Sequence, residues 1–280
     1  MNLDSWRSSG ARVALLGRQA FVRTSGGGPA LLFLHGFPTT SYDFHDVVER
    51  LSPSHRCVAF DFAGFGESDP PDRYTYDAQT ALTLAVAAHE NVERAVVVAH
   101  DYGVTVAQEL LARTPTSLRV DGVVFLNGGL NPSLHRALPV QHLLASPLGR
   151  VLAPLLVRRS TFARSMRRVL VRADRFDFEE HWRAISARGA DRRTHSLLHY
   201  IAERRRNAAR WTGAFARTTT PVGLAWGTRD PVSGGHVLEW VRAQRPNADI
   251  LALDVGHYPQ VEAPEEVADF IERFVAKVAK

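Results

Sequence analysis

An aspartate, Asp101, stands at a point in the sequence where a reactive side chain would be well placed. It follows the apolar run of residues 95–99 and precedes an amphipathic pattern that begins near Val104, within the segment AVVVAHDYGVTVAQELLA. Small residues, Ala99 and Gly103, lie two positions away on either side. This spacing is typical of a nucleophile elbow, a sharp strand-to-helix turn that projects one side chain above a sheet. The alternative is an ordinary helix N-cap, a position that aspartate also favours.

Two further residues, Asp230 and His257, could share the chemistry with Asp101. Asp230 lies in the segment LAWGTRDPV and His257 in LALDVGHYPQVEAP, each just after an apolar run. The chain order is then nucleophile, acid, base, and Asp230 would orient the His257 imidazole and stabilise its charged form. Two alternatives stay open: Asp230 only caps the Asp-Pro turn, and His257 is a polar loop residue. Asn127 follows the sixth apolar run and is a second position from which a side chain could orient His257. It carries no charge, however, so Asp230 keeps the acid role.

Backbone amides could bind the negative oxygen that such chemistry creates. The third apolar run ends in His35-Gly36-Phe37-Pro38, which has the position of an oxyanion loop. We therefore expect the N–H groups of Phe37 and Tyr102 to point at a developing oxyanion. We expect His35 to line the pocket beside them.

Eight apolar, β-rich runs predict the sheet that must position these side chains. They are residues 12–16, 19–23, 31–34, 57–60, 95–99, 122–126, 222–226 and 249–253. From the third onward they are short and nearly continuous, as in parallel strands buried on both faces, whereas the first two predict an antiparallel hairpin at the edge. Helical patterns between them occupy residues 42–50, 76–89, 104–113, 237–243 and 264–278. The alternation predicts an α/β fold with an eight-stranded, mostly parallel sheet.

Between residues 131 and 217 this alternation stops, and no run indicates a strand. The segment is helical in composition and lies between the sixth and seventh predicted strands. It therefore predicts a helical cap inserted over the carboxyl edge of the sheet, where open α/β sheets bind ligands. The predicted core comprises residues 1–130 and 218–280.

Charge is distributed unevenly along the chain. Residues 150–217 hold 17 of the 34 basic residues, all arginine, against six acids, while the whole chain has a formal net charge of +5. An anionic substrate, nucleic acid or a membrane would fit such a field. A solvated helical surface is the preferred interpretation, because the segment RRSTFARSMRRVLVR carries no nucleic-acid motif.

Composition also narrows the class of protein. With 280 residues, of which 45% are hydrophobic, the chain can bury a large core. The single cysteine, Cys57, lies in an apolar run, which favours a small buried hydrophobe in a reducing cytoplasm. The first residues lack the continuous apolar segment of a secretory signal, so we expect no leader. We also find no apolar run of bilayer length, no metal-ligand spacing and no nucleotide motif in the sequence. We expect a cytoplasmic monomer or homodimer that acts on a small hydrophobic molecule, without a cofactor, metal, nucleic acid or membrane.

Together these segments resemble the α/β-hydrolase superfamily. HGFP, DFAGFGESD, HDYG, GTRDP and GHYPQVEAP are similar to motifs of its epoxide hydrolase and haloalkane dehalogenase branch, and the resemblance covers nearly the whole chain. It implies an α/β-hydrolase fold with a helical cap. A carboxylate nucleophile suits displacement at a saturated carbon, since its attack on an ester would give a reactive anhydride. Water activated by His257 would then hydrolyse the alkyl ester of Asp101.

The leaving group separates the two reactions of this branch. An epoxide leaves as an alkoxide and needs a proton donor, whereas a halide needs only donors that solvate it. The segment LLHYIAERRRNAARW resembles the epoxide hydrolase segment that carries a ring-opening tyrosine, which implies this role for Tyr200, with packing as its alternative role. Such enzymes commonly offer two cap tyrosines, but residues 131–217 contain one. Other candidate donors are His135, His181, His195 and His199.

Haloalkane dehalogenation remains an alternative to epoxide opening. That group usually has Trp after the nucleophile and Asn after the His-Gly pair, where this chain has Tyr102 and Phe37. A fluoroacetate dehalogenase would have Arg in place of Tyr102. Trp182 could still line the pocket and supply an indole donor. A binding protein on a hydrolase fold is a third alternative, since fold alone does not prove activity. We predict an epoxide hydrolase.

Overall fold

The protein is built on one eight-stranded sheet. The computed structural model describes residues 1–113, 115–134, 136, 157–198 and 200–279. The strands are β1 (Ala11–Leu15), β2 (Arg18–Ser25), β3 (Ala30–Leu34), β4 (Arg56–Phe60), β5 (Arg94–His100), β6 (Arg119–Leu126), β7 (Val222–Gly227) and β8 (Asp249–Leu253). Their order in the sheet is β1-β2-β4-β3-β5-β6-β7-β8. The β1–β2 and β2–β4 pairs are antiparallel and the others parallel, which confirms the predicted edge hairpin and mostly parallel sheet.

Helices connect most of the strands. They are α1 (Leu3–Ser8), α2 (His45–Leu51), α3 (Tyr76–His89), α4 (Tyr102–Ala112), α5 (Arg159–Met166), α6 (Phe178–Ile185), α7 (Thr194–Leu197), α8 (Tyr200–Arg206), α9 (Ala208–Arg217), α10 (Gly235–Gln244), α11 (Pro259–Glu262) and α12 (Pro264–Val278). The predicted bounds of α3 and α12 are confirmed. The helical pattern of residues 42–50 divides into a 3₁₀ turn, Ser41–Phe44, and α2. Helix α1 was not predicted; the Asn2 side chain accepts a hydrogen bond from the Ser5 N–H at 2.9 Å and so caps it.

The sheet is covered on both faces, as the continuous apolar composition of its central strands requires. Along β5, Val97 and Ala99 belong to one core cluster, whereas Val96 and Val98 belong to the other. The first cluster includes residues of α3, α4 and α10, and the second includes residues of α1, α2 and α12. Because β3, β5, β6 and β7 are parallel, their carboxyl ends meet at one edge of the sheet. The two core clusters pack against this sheet and keep it rigid.

The described residues between β6 and β7 are helical or irregular and include α5 to α9. None of the helices in the described part of the chain is long and apolar enough to cross a lipid bilayer. The division of the chain at residues 131 and 217 into core and cap stays a prediction. Helix α9 nevertheless packs directly on α4, the helix that follows Asp101.

A buried carboxylate, Glu109 of α4, joins these two helices. Its oxygens accept hydrogen bonds from Arg210 at 2.9 and 3.0 Å, from Arg113 at 2.8 Å and from the Trp211 indole at 2.6 Å. Burial raises the pKa of the Glu109 carboxyl, but the hydrogen bonds from Arg210, Arg113 and Trp211 lower it more, to about 2. Arg210 and Trp211 lie on α9, so a charged network fixes this part of the helical segment to the core.

We predict that Glu109→Gln lowers the free energy of unfolding by about 1–3 kcal/mol near neutral pH, because charge-assisted hydrogen bonds are lost. A carboxyl group with a lowered pKa stabilises the folded state above its ordinary pKa of about 4.5, and this contribution is lost as pH falls toward about 2. Denaturant unfolding should therefore show the difference between wild type and variant shrinking below about pH 4.5.

The control is Glu265→Gln, which removes the exposed ion pair with Arg50. It should change the free energy of unfolding by less than about 0.5 kcal/mol. Equal effects of the two substitutions, or a pH-independent effect of Glu109→Gln, would show that Glu109 is not the charged anchor between α4 and α9.

Candidate active site

Asp101 occupies the turn between β5 and α4 with backbone angles φ 42° and ψ −100°. This conformation is rare for a residue with a side chain and costs on the order of 1–3 kcal/mol. Hydrogen bonds hold it: the Asp101 N–H donates to the Asn127 carbonyl at 2.9 Å, and the Gly103 N–H donates to the His35 carbonyl at 3.0 Å. A Cβ atom at Gly103 would lie 2.3 Å from the Leu34 carbonyl oxygen, so a larger residue would clash there. The backbone has the sharp strand-to-helix turn that the spacing predicted.

The imidazole of His257 is hydrogen-bonded to Asp230, with 2.7 Å between Nδ1 and Oδ2. The Asp230 carboxylate also accepts hydrogen bonds from the Ser233 hydroxyl at 2.7 Å, the Val232 N–H at 2.8 Å and the Asn127 amide at 3.0 Å. Because a carboxylate only accepts hydrogen bonds, Nδ1 of His257 carries the proton. The other ring nitrogen, Nε2, faces Asp101 at 3.8 Å from Oδ1.

Charge around His257 favours its protonated form. Burial lowers the pKa of the His257 imidazole, but the Asp230 charge and hydrogen bond, with a further contribution from Asp101, raise it to about 9 overall. Burial raises the pKa of the Asp230 carboxyl, yet His257 and the donors Ser233 and Val232 hold it well below its usual range. Asp230 is therefore a fixed negative charge that orients the imidazole.

The two oxygens of the Asp101 carboxylate have different environments. Oδ2 accepts a hydrogen bond from the Phe37 N–H at 3.0 Å, whereas Oδ1 faces His257. Tyr102 is the first residue of α4, where a backbone N–H has no acceptor within the helix. The Phe37 amide is thus bound to the carboxylate, and the role of the Tyr102 amide beside it stays a prediction.

Tyr200, at the start of α8, is buried against both of these residues. Its ring centroid lies 5.7 Å from that of Phe37 and 5.5 Å from that of Tyr102. Burial and the charge of Asp101 raise the pKa of the Tyr200 hydroxyl. The phenol therefore remains protonated at neutral pH, and its ring packs on the two residues that bind or follow Asp101.

The ring of His35 is fixed by hydrogen bonds at both of its nitrogens. Its Nε2 accepts a hydrogen bond from the Phe62 N–H at 2.9 Å, and its Nδ1 donates to the Gly36 carbonyl at 2.8 Å. Both ring nitrogens are thus used to join the loop after β3 to the loop after β4. The pocket role of His35 stays a prediction, and the structure adds a role in holding these two loops together.

The contacts of Trp182 and His181 are with groups other than Asp101, and the remaining cap candidates lie outside the described residues. Trp182 packs in the apolar cluster that contains Phe162 and Tyr258, so it lies on the His257 side of the site. His181 has Nδ1 on the Asp177 carbonyl at 2.8 Å and Nε2 at 3.4 Å from Asp43. His135 and His199, and the side chain of His195, lie outside what the structure describes.

Two contacts of the site were missed by sequence reasoning. His100, directly before Asp101, has Nε2 at 2.8 Å from the His257 carbonyl oxygen. Burial and the neighbouring His257 lower the pKa of His100 to about 3, so this ring is a neutral donor that fixes the histidine loop. The His257 N–H donates to the Val169 carbonyl at 2.8 Å. A Cβ at Gly256 would lie 2.1 Å from that same oxygen, so this glycine permits a close backbone approach rather than a special turn.

We predict that Asp101→Asn lowers the pKa of His257 from about 9, because it removes one of the negative charges that stabilise the imidazolium. NMR titration of the imidazole resonances measures this shift directly. Asp254→Asn is the control, since that side chain is exposed and pairs with Arg229. An unchanged His257 titration in Asp101→Asn, or an equal shift in Asp254→Asn, would contradict the electrostatic coupling.

Comparison with known proteins agrees with this architecture. The chain is 38% identical to LipZ, a protein of Mycobacterium tuberculosis named as a hydrolase, over 96% of each chain. It is 35% identical to the human mesoderm-specific transcript homolog protein over 94% of this chain and 84% of the relative. This confirms the resemblance to that protein carried by HGFPTTSYDF, HDYG, VAQELL, NGG and HYPQ.

Solved structures share the fold at low sequence identity. Haloalkane dehalogenase DbeA from Bradyrhizobium elkani superposes with a TM-score of 0.83 and 23% identity, covering 97% of this chain and 98% of that one. Epoxide hydrolase CorEH superposes with a TM-score of 0.76 and 20% identity, covering 96% and 99%. Residues 31–270 match the alpha/beta hydrolase family. The chain therefore belongs to the alpha/beta hydrolase family, which supports a hydrolase function for it.

Proposed function

We propose that this protein is an epoxide hydrolase whose nucleophile is Asp101 and whose base is His257. The observation that carries the proposal is the orientation of the Asp101 carboxylate. Oδ2 is bound to the Phe37 amide while Oδ1 faces Nε2 of His257 at 3.8 Å. One oxygen can thus attack a substrate carbon while the other stays in the oxyanion site.

The first half-reaction forms an alkyl ester. Oδ1 of Asp101 attacks an epoxide carbon, the carbon–oxygen bond of the ring breaks, and its electron pair stays on the ring oxygen. That oxygen takes the proton of the Tyr200 hydroxyl, a role supported by the packing of the Tyr200 ring against Phe37 and Tyr102. The aromatic rings around Tyr200 support a small, mostly apolar substrate.

The second half-reaction needs a neutral His257. With Asp101 ionised the pKa of His257 is about 9, so the resting imidazole is mostly protonated at neutral pH. Alkylation removes the Asp101 charge and lowers the pKa of His257, so the imidazolium gives its proton to the Tyr200 phenolate. The neutral ring can then accept a proton from water, and it later returns this proton to the departing alkoxide oxygen. The water attacks the ester carbon, and the charge that develops on Oδ2 is stabilised by the amides of Phe37 and Tyr102. The diol leaves and Asp101 is regenerated.

Epoxide opening is favoured over halide displacement by the donors around Asp101. The side chain of Phe37 has no hydrogen-bond donor. The Tyr102 ring is stacked on Tyr76 at 4.6 Å between centroids, within the aromatic cluster of the core. A fixed phenol, Tyr200, is what an alkoxide leaving group requires. Nε2 of His257 faces Oδ1 of Asp101, as a base faces a nucleophile. A protein that only binds a ligand has no need of this arrangement, which counts against the third alternative.

We predict that His257→Gln protein accumulates a covalent adduct on Asp101, because the ester forms but its hydrolysis lacks a base. Incubation with a panel of epoxides and haloalkanes, followed by intact mass, measures this. A gain equal to the whole epoxide identifies ring opening, and a gain equal to the haloalkane minus hydrogen halide identifies a dehalogenase. Folded protein without an adduct from any compound would speak against both reactions on this panel. Asp101→Asn in the same background is the control that should stay unmodified.

We further predict that Tyr200→Phe in the His257→Gln background slows adduct formation from propylene oxide by about 100-fold or more, since the alkoxide loses its proton donor. The rate is measured by mass spectrometry of quenched samples. Tyr74→Phe removes a phenol hydroxyl elsewhere and should react like the parent protein. An unchanged rate in Tyr200→Phe would assign the proton to a different group.

A further inference from the structure

Arg204 is a buried cation next to Tyr200 for which the reaction described above has no role. Its side chain belongs to a residue that is 3% exposed. It follows Tyr200 by one turn of α8, so the two side chains share a face of the helix. This places a guanidinium at the boundary between α8 and the core, close to the proposed proton donor.

The described residues provide no carboxylate partner for Arg204. None of the ion pairs among the described residues includes Arg204. The rest of the chain, residues 114, 135, 137–156, 199 and 280, contains no aspartate or glutamate that could pair with it. The neighbouring carboxylate, Glu203, instead accepts the Tyr76 N–H at 3.1 and 3.2 Å. Burying an unpaired charge is costly. A negative charge that arises beside Arg204 is therefore strongly stabilised.

The guanidinium is held firmly in place. Its Nη2 donates a hydrogen bond to the Gly129 carbonyl, and a Cβ at Gly129 would lie 1.3 Å from Nη2. Nε has no hydrogen-bond partner within the described part of the chain. Gly129 lies two residues after Asn127, which binds Asp230, so the cation sits on the same loop that supports the site.

Four titratable or charged groups face Tyr200 from the elements around it. Asp101 approaches from the elbow, Tyr76 from α3, Tyr102 from α4 and Arg204 from α8 itself. Among these four groups of the described chain, Arg204 is the one with a positive charge. Burial and Asp101 raise the pKa of Tyr200, whereas Arg204 opposes them. Once Asp101 is esterified, its opposing charge is gone and Arg204 is left as the charged neighbour.

Building on the proposed epoxide opening, we propose that Arg204 is a positioning residue that stabilises the Tyr200 phenolate formed as the ring opens. The Asp101 oxygen forms its bond to carbon, the ring carbon–oxygen bond breaks, and the Tyr200 proton moves to the ring oxygen. The single negative charge thereby moves from Asp101 to the Tyr200 oxygen, beside the fixed guanidinium. The imidazolium of His257 later returns a proton to Tyr200 and becomes the base for hydrolysis.

The test compares Arg204→Gln, Arg204→Lys and Arg205→Gln in the His257→Gln background, with propylene oxide as the probe and adduct mass as the readout. Arg205 is exposed on the same helix, so its substitution makes the same charge change away from Tyr200. Arg204→Gln should slow ester formation by about tenfold or more, Arg205→Gln should leave it unchanged, and Arg204→Lys should retain most of the rate near neutral pH.

The pH profile of Arg204→Lys separates charge from scaffold. Burial lowers the pKa of a lysine below about 10.4, so the ester-formation rate of this variant should fall as pH rises through that titration, while the arginine protein shows no such step. This readout stands even if Arg204→Gln fails to fold. A pH-independent rate in Arg204→Lys, or an unchanged rate in Arg204→Gln, would overturn the role of Arg204. Ester formation in the His257→Gln parent would in that case still support Asp101 as the nucleophile. Absence of ester in the parent would overturn both.

Discussion

The strained turn at Asp101 is the constraint on which the rest of the site depends. A residue with a side chain is held at φ 42°, and this stores strain that the surrounding structure must offset. The turn is held between buried β5 and α4. Hydrogen bonds from the Gly103 N–H to His35 and from the Asp101 N–H to Asn127 keep its backbone in this conformation. The result is a carboxylate raised above the sheet edge, where it reaches the Phe37 amide and His257.

The same few loops hold all the charges of the site. The loop after β6 binds the Asp101 backbone and Asp230 through Asn127, and through Gly129 it holds Arg204. The histidine loop is tied to the backbone of Val169 and to the ring of His100. In the proposed reaction one negative charge moves from Asp101 to Tyr200 and back, between a buried Asp230–His257 pair on one side and a buried Arg204 on the other. A rigid arrangement suits such a transfer, since little reorganisation is needed as charge shifts.

Periodicity and local spacing predict what depends on neighbours in the chain. The strands, the helices α3 and α12 and the turn at Asp101 follow from continuous apolar runs, amphipathic patterns and small flanking residues. Side-chain direction depends on tertiary contacts, so His35 turned out to bind the Phe62 amide, and the contact of His100 with the His257 carbonyl was invisible. The bond between Arg204 and Gly129 joins residues 75 positions apart, which no local pattern indicates.

A single turnover in water enriched in the heavy oxygen isotope shows whether Asp101 is alkylated and its ester then hydrolysed. Wild-type protein is used in excess over propylene oxide, and both the diol and the peptide that contains Asp101 are weighed by mass spectrometry. We expect the diol of the first turnover to lack heavy oxygen, because its new oxygen comes from Asp101, and the peptide to gain one heavy oxygen. Heavy oxygen in the first diol, with an unchanged peptide, would show instead that water attacks the epoxide directly and that Asp101 is not the nucleophile.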